Sequence, residues 1–315
     1  MPDPTELVII ATFSTAFGIF AITATARKVF KINKFKETPV AEMPLGSDWA
    51  SAPHSGGSPY QSPATVDYPP PLPVGKVPTW FYRPFDLLGI GFIFVVFFSL
   101  VVASVRAVGK EDQVLDPGSL ISSIAFQFIA AGIVTLFVIS RIRPIEWLGL
   151  RWPRWRWILL IAPGSVLGMW LFFAGIQAAG LMHWIESLGV ETVQDTVKVL
   201  QESNDPAVLT LMAFAAVFAA PFCEEIVFRG YLYSATKRFA GPWAAAICSA
   251  MVFAAAHGSL AALVPLFVFG CVLVFVYEKT GSLWAPIAVH FCFNGATVLI
   301  QMAGRFYHFP LDAAP

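Results

Sequence analysis

An all-α polytopic membrane bundle of about eight transmembrane helices is the fold class this sequence predicts, and three observations predict it. The 315 residues are 57% hydrophobic but only 13% charged, about half the roughly 25% charged share of a soluble domain. Mean hydropathy is +0.69. Uncharged apolar runs of about 20 residues recur along the chain, each the length a helix needs to cross a bilayer. Twenty basic residues balance twenty acidic ones. With no basic helix carrying interleaved aromatics, nucleic acid is excluded as a partner.

The first apolar run, Leu7 to Ala26, is followed by Arg27, Lys28, Lys31, Lys34 and Lys36 and preceded by Asp3 and Glu6. Ala24-Thr25-Ala26 mimics a cleavage site, but a signal peptide needs a basic segment ahead of its apolar run, and here the charges are reversed. Residues 1–27 therefore read as a retained anchor with its N-terminus outside. Residues 28–80 change character, with ten prolines between Pro39 and Pro78 and a Gly-Ser patch at Ser55 to Ser58. This composition predicts a flexible, partly polyproline linker, with a Pro-rich partner-binding segment as the alternative.

Two additional transmembrane helices are expected within residues 81–140, at about 85–105 and 120–140. A core over 141–305 carries apolar runs at about 157–179, 207–236, 243–259, 260–277 and 283–303, and residues 306–315 form a tail. Between Arg141 and Arg156 five arginines face one acid, Glu146, which places that connection in the cytoplasm. Trp147, Trp152, Trp155 and Trp157 are expected at the same interface. Counting outward puts Glu111, Asp112, Asp116 and the acidic stretch 181–205 outside, in agreement with the orientation read from the anchor. Leu181 to Leu200 has the composition of an interfacial helix or an ordinary loop.

Ionisable residues inside a bilayer cost several kcal/mol each, so those at mid-helix are functional candidates. They fall in Pro221-Phe222-Cys223-Glu224-Glu225-Ile226-Val227-Phe228-Arg229, in Phe253-Ala254-Ala255-Ala256-His257 and in His290-Phe291-Cys292-Phe293-Asn294. Residues four apart share a helix face, and neighbours point about 100° apart. Glu225 and Arg229 are thus expected to form an internal ion pair that leaves Glu224 as the free carboxylate. His290 and Asn294 are expected to project together. Counting 1.5 Å per residue from the flanking basic residues places Glu224, His257, His290 and Asn294 at roughly 22, 22, 12 and 18 Å from the cytoplasmic boundary. A carboxylate, two imidazoles and an amide in one layer suit acid/base chemistry with an oxyanion stabiliser. The alternative is a set of hydrogen-bonded ties between helices. Cys223, Cys248, Cys271 and Cys292 lie in apolar runs without a C-x-x-C pair and read as small buried hydrophobes rather than nucleophiles or zinc ligands.

The ordered set E-E-x-x-x-R, F-x-x-x-H and H-x-x-x-N on successive helices resembles the CPBP family of intramembrane proteases, also called the Abi family. The family includes type II CAAX prenyl endopeptidases and bacteriocin-processing or immunity proteins. The resemblance covers residues 140 to 303, including Trp147-Leu148-Gly149-Leu150, and leaves the anchor and linker outside. It implies an endopeptidase in which Glu224 and His257 activate water while His290 and Asn294 stabilise the oxyanion. A hydrated cavity opening to the cytoplasm would be needed to bring that water into the bilayer. The implied partners are the lipid bilayer and a membrane-associated, CAAX-type peptide or protein. A bacterial inner membrane is the expected setting.

Glu224, His257 and His290 also make up a His₂Glu zinc set with an open fourth position. No H-E-x-x-H is present, and a mechanism without an obligatory metal is favoured over zinc. The absence of Gly-x-Ser-x-Gly and of paired intramembrane aspartates argues against serine and aspartyl proteases. Two other function classes compete: a non-catalytic immunity or scaffold protein binding a peptide in the same cavity, and a proton-coupled carrier. The carrier finds no inverted hydropathy repeat to support it.

Overall fold

The computed structural model describes residues 4–30, 77–107, 116–189, 200 and 203–307. Among these, every regular element is helical. In chain order they are α1 (Pro4–Val29), α2 (Asp86–Ala107), α3 (Pro117–Ile139), the single turn α4 (Pro144–Trp147), α5 (Ile158–Ala178), α6 (Leu181–Ser187), α7 (Pro206–Ala240), α8 (Pro242–Ala255), α9 (Leu260–Thr280) and α10 (Trp284–Tyr307). Seven of them, α1, α2, α3, α5, α7, α9 and α10, are long and apolar enough to cross a membrane. The protein is an integral multi-pass membrane bundle.

The eighth expected span, 243–259, becomes α8, which is only 14 residues long, about 21 Å at 1.5 Å per residue. It stops at Ala255 because the chain turns through His257 and Gly258, where φ is +68°. Its length is set by its neighbours rather than by lipid. Cys248, Ser249, Ala250, Val252, Phe253, Ala254 and Ala255 are all at most 1% exposed, so α8 is the buried centre on which α1, α7 and α9 pack.

Helix α1 does more than tether the chain. Ile9, Phe13, Ala16 and Phe20 are buried, and the helix lies against α8 and α2. Phe13 meets Phe98 edge-on at 5.7 Å, the Cys248 thiol donates to the Ala16 carbonyl at 3.2 Å, and Glu6 pairs with Arg106 of α2 at 2.6 Å. The expected linker falls largely at 31–76, outside the described residues. Where the description resumes, Val77 is already buried, and its carbonyl accepts from the Lys237 ammonium at 3.1 Å. The stretch read as an interfacial helix or an ordinary loop forms α6 over Leu181–Ser187, and residues 190–199 lie outside the described set.

A buried polar seam joins α2, α3 and the connection that follows to α7. Arg141 grips Asp86 through both guanidinium arms, and Asp86 also accepts from the Tyr231 hydroxyl of α7 at 3.2 Å. Hydrogen bonding to Asp86 raises the Arg141 pKa further above its ordinary value. Trp147, expected at the membrane interface, is instead 1% exposed. Its indole N–H is shared between the Tyr82 hydroxyl and the Gly230 carbonyl, both at 3.0 Å. Tyr82 donates to the same carbonyl at 2.9 Å, and burial holds its phenol pKa well above the usual value, so it stays a donor. The indole N–H explains the correction, because a buried donor must find an acceptor, and α7 supplies one. Trp155 and Trp157 remain exposed, as an interface position requires.

The seam closes through Leu148, whose carbonyl accepts from the Leu283 amide at 2.9 Å at the entry to α10. Close approach is made by Gly149, at φ +59°, where an added Cβ would sit 1.9 Å from the Gly281 carbonyl oxygen. Gly149→Ala is therefore expected to lower stability, by about 1–3 kcal/mol from backbone strain alone. Gly164→Ala, in α5 with open space around it, is expected to stabilise by about 0.5–1 kcal/mol. Thermal unfolding of the two variants in one detergent checks both signs.

Candidate active site

The site is built on α7, whose backbone departs twice from α geometry. Ala215–Ala219 and Glu225–Tyr233 are π-helical, with the chain widened by one residue per turn. The first widening has a local cause. Pro221 brings no N–H and its ring presses on the preceding turn, and in the π pattern, where Ala220 N–H reaches back to the Ala215 carbonyl, the next donor would belong to Pro221. The Ala216 carbonyl is thereby left without a helical partner. Asn294 of α10 supplies one, its Nδ2 donating to that carbonyl at 2.8 Å.

In the second π segment Glu225 and Arg229 meet at 2.8 Å with both side chains fully buried, as their spacing predicts. The pair has a third member. His290 of α10 places Nδ1 3.0 Å from the same Glu225 oxygen, Oε1. A carboxylate only accepts, so Nδ1 carries the proton and Nε2 faces away from Glu225. Arg229 also donates to the Gly270 carbonyl of α9 at 3.3 Å and stacks over the Phe253 ring at 4.3 Å. One cluster thus ties α7, α8, α9 and α10 together.

Glu224 stands apart from it. The residue is half-buried, its Oε2 is enclosed with no hydrogen-bond partner among the described residues, and it lies within the electrostatic reach of His290, Glu225 and Arg229. His257, just past the end of α8, is exposed. Its Nδ1 lies 2.8 Å from the Phe253 carbonyl. A carbonyl also only accepts, which assigns the proton to Nδ1 and leaves the Nε2 lone pair available.

Phe253 is the residue whose importance spacing alone does not reveal. Its ring packs edge-on to His257 at 4.9 Å and to His290 at 5.9 Å, besides lying under Arg229. It is the apolar wedge that holds both imidazoles around one centre. Sequence contains it as the first letter of F-x-x-x-H, without a chemical role to single it out. Asn294 and His290, expected to aim at a common point, both reach α7 but at different levels, Ala216 and Glu225. Among the described residues no group of three His, Cys, Asp or Glu side chains assembles to hold a metal ion. The Glu224, His257 and His290 set is not gathered as such a group, although the Nδ1 bond of His290 to Glu225 leaves its Nε2 free.

The protein is thus a multi-helix membrane bundle in which α7 carries a Glu224 without a hydrogen bond among the described residues and one Phe253 ring holds two imidazoles, His257 and His290. Residues 206–296 match the family model of the type II CAAX prenyl endopeptidase Rce1-like proteins, a segment that contains Glu224, Glu225, Arg229, His257, His290 and Asn294. The chain is also 27% identical over 134 residues to "Putative membrane peptidase YdiL" of Bacillus subtilis (strain 168), covering 42% of this chain and 52% of that protein. It thus spans about half the length of the curated relative it matches. No solved structure matches the chain. The two matches support the resemblance to the CPBP proteases drawn from the motifs.

The unequal burdens of the two glutamates have a measurable consequence. Glu225→Gln removes the charge that compensates a fully buried Arg229 and is expected to cost about 3–5 kcal/mol. Glu224→Gln removes no hydrogen bond and is expected to leave stability within about 0.5 kcal/mol. Denaturant unfolding of the two variants in detergent separates them.

Proposed function

We propose that the chain is an intramembrane endopeptidase that hydrolyses a peptide bond of a membrane-associated protein segment with water activated at Glu224. The observation that carries this reading is the contrast between neighbours: Glu225 Oε1 accepts from both Arg229 and His290, while the Glu224 side chain has no hydrogen bond among the described residues and its Oε2 is enclosed without a partner. A carboxylate held in protein without a hydrogen bond is a proton acceptor waiting for a proton donor. Water between Glu224 and the free Nε2 of His257 fits that requirement.

The step follows from the proton positions. Glu224 takes one proton as the water oxygen attacks the scissile carbonyl carbon, and His257 Nε2 accepts a hydrogen bond from the other. The carbonyl π electrons move to oxygen. His290 Nε2, which offers N–H when the ring is doubly protonated, and the second amide hydrogen of Asn294 stabilise that oxyanion. Collapse expels the amine, which leaves with the proton held by Glu224. The substrate class indicated by the matched family is a prenylated CAAX-type segment. The arginine-rich 141–156 connection lies on the cytoplasmic side in this reading, the N-terminus lies outside, and the setting is a bacterial inner membrane.

Purified protein and a panel of prenylated and unprenylated fluorogenic peptides test the proposal. Glu224→Gln and His257→Ala are expected to lower kcat/KM by about 10²–10⁴, and Asn294→Ala by about 10²–10³. Chelation is expected to leave cleavage unchanged, and loss of activity restored by zinc would replace the water-activating pair by a metal. Wild-type rates in Glu224→Gln would refute the role of Glu224 and favour a peptide-binding scaffold.

A further inference from the structure

Where α2 begins and α3 ends, at the end of the bundle that carries the arginine-rich connection, there is a cavity of about 300 Å³ lined by Arg83, Phe85, Leu136, Phe137, Ser140 and Arg141. Its two cations behave differently. Arg141 is spent inward, on Asp86 and on the carbonyls of Phe81 and Phe137. Arg83 is exposed; only its backbone N–H is engaged, with Asp86 at 2.7 Å, and its guanidinium has no hydrogen-bond partner among the described residues. The apolar walls are open as well, with Phe85 60% and Leu136 70% exposed.

The position of the cavity states what fills it. The spanning parts of α2 and α3 begin at Asp86 and end at Ile139, so Arg83 and Ser140 occupy the first polar residues outside the apolar layer, where lipid head groups lie. Leu136 lies within the apolar span of α3, and Phe85 stands at the edge of that of α2. A ligand fitting this site is anionic at one end, apolar at the other, and already present at that depth. We infer that the cavity binds an anionic phospholipid, its phosphate on Arg83 and Ser140 and an acyl chain along Phe85, Leu136 and Phe137. Its inner wall, Arg141, is the residue that clamps Asp86 to Tyr231 of α7. Bound lipid therefore braces the seam behind the helix that carries Glu224. The inference rests on this cavity alone and holds whether or not the chain cleaves peptides.

The test is native mass spectrometry of the full chain in detergent, incubated with equal amounts of phosphatidylglycerol and phosphatidylcholine. Wild type is expected to retain phosphatidylglycerol selectively. Arg83→Ala should reduce that retention about five-fold, the effect of one interfacial cation, and Ser140→Phe, which fills the cavity, should do the same. Arg154→Ala, an exposed cation outside the cavity, should leave it unchanged. Equal retention of the two lipids, or wild-type retention in Arg83→Ala, overturns the proposal. An equal loss in Arg154→Ala also overturns it, in favour of diffuse charge attraction. Displacement of the lipid by millimolar inorganic phosphate would make the ligand a free anion and overturn the lipid assignment.

Discussion

The buried cluster of Glu225, Arg229 and His290 is the constraint from which the rest of the site follows. An isolated ion in a low-dielectric interior costs several kcal/mol or more even after relaxation, so each of these groups must be answered by another. Arg229 answers Glu225 along one helix, His290 reaches the same oxygen from α10, and the Gly270 carbonyl and Phe253 ring hold the guanidinium from α9 and α8. Four helices are thereby brought to fixed distances by charge rather than by apolar packing, which in lipid gives little preference for one helix neighbour over another. The neighbouring Glu224 points about 100° away and receives none of these partners. One glutamate pays for the architecture and the other is left available for chemistry.

The irregular backbone of α7 serves the same end. A straight α-helix satisfies its own carbonyls and offers none sideways. Pro221 and the two π segments leave carbonyls that accept from outside: Ala216 from Asn294, and Gly230 from Tyr82 and Trp147. Asn294 of α10 and Trp147 of the 141–156 connection are thereby fastened to α7 by uncharged side chains. Gly149, Leu148 and Leu283 complete the loop back to α10. The connection that sequence places at a membrane surface is thus part of the frame around the site.

What sequence discloses and what it conceals can be read residue by residue. The membrane bundle is legible because apolar length is a one-dimensional property, and the Glu225–Arg229 pair is legible because four-residue spacing survives even the π distortion. The attachment of His290 to Glu225, 65 residues apart, is tertiary and has no local signature. Trp147 was expected at the lipid interface with its three neighbours, since composition cannot tell a wet indole from one whose N–H finds a buried carbonyl. Helix α8 was expected to run four residues further, to 259, because alanines continue its apolar run up to a turn imposed by Gly258. Helix α1 reads as an isolated anchor because both its lipid-facing and its protein-facing sides are apolar.

The division of labour between the adjacent glutamates is tested most directly by carbodiimide labelling in membranes, because such reagents modify carboxyl groups that are reachable and uncommitted within an apolar environment. Peptide mapping after treatment with dicyclohexylcarbodiimide should place the adduct on Glu224 and leave Glu225 unmodified. An adduct on Glu225, or equal labelling of the two, would contradict the account.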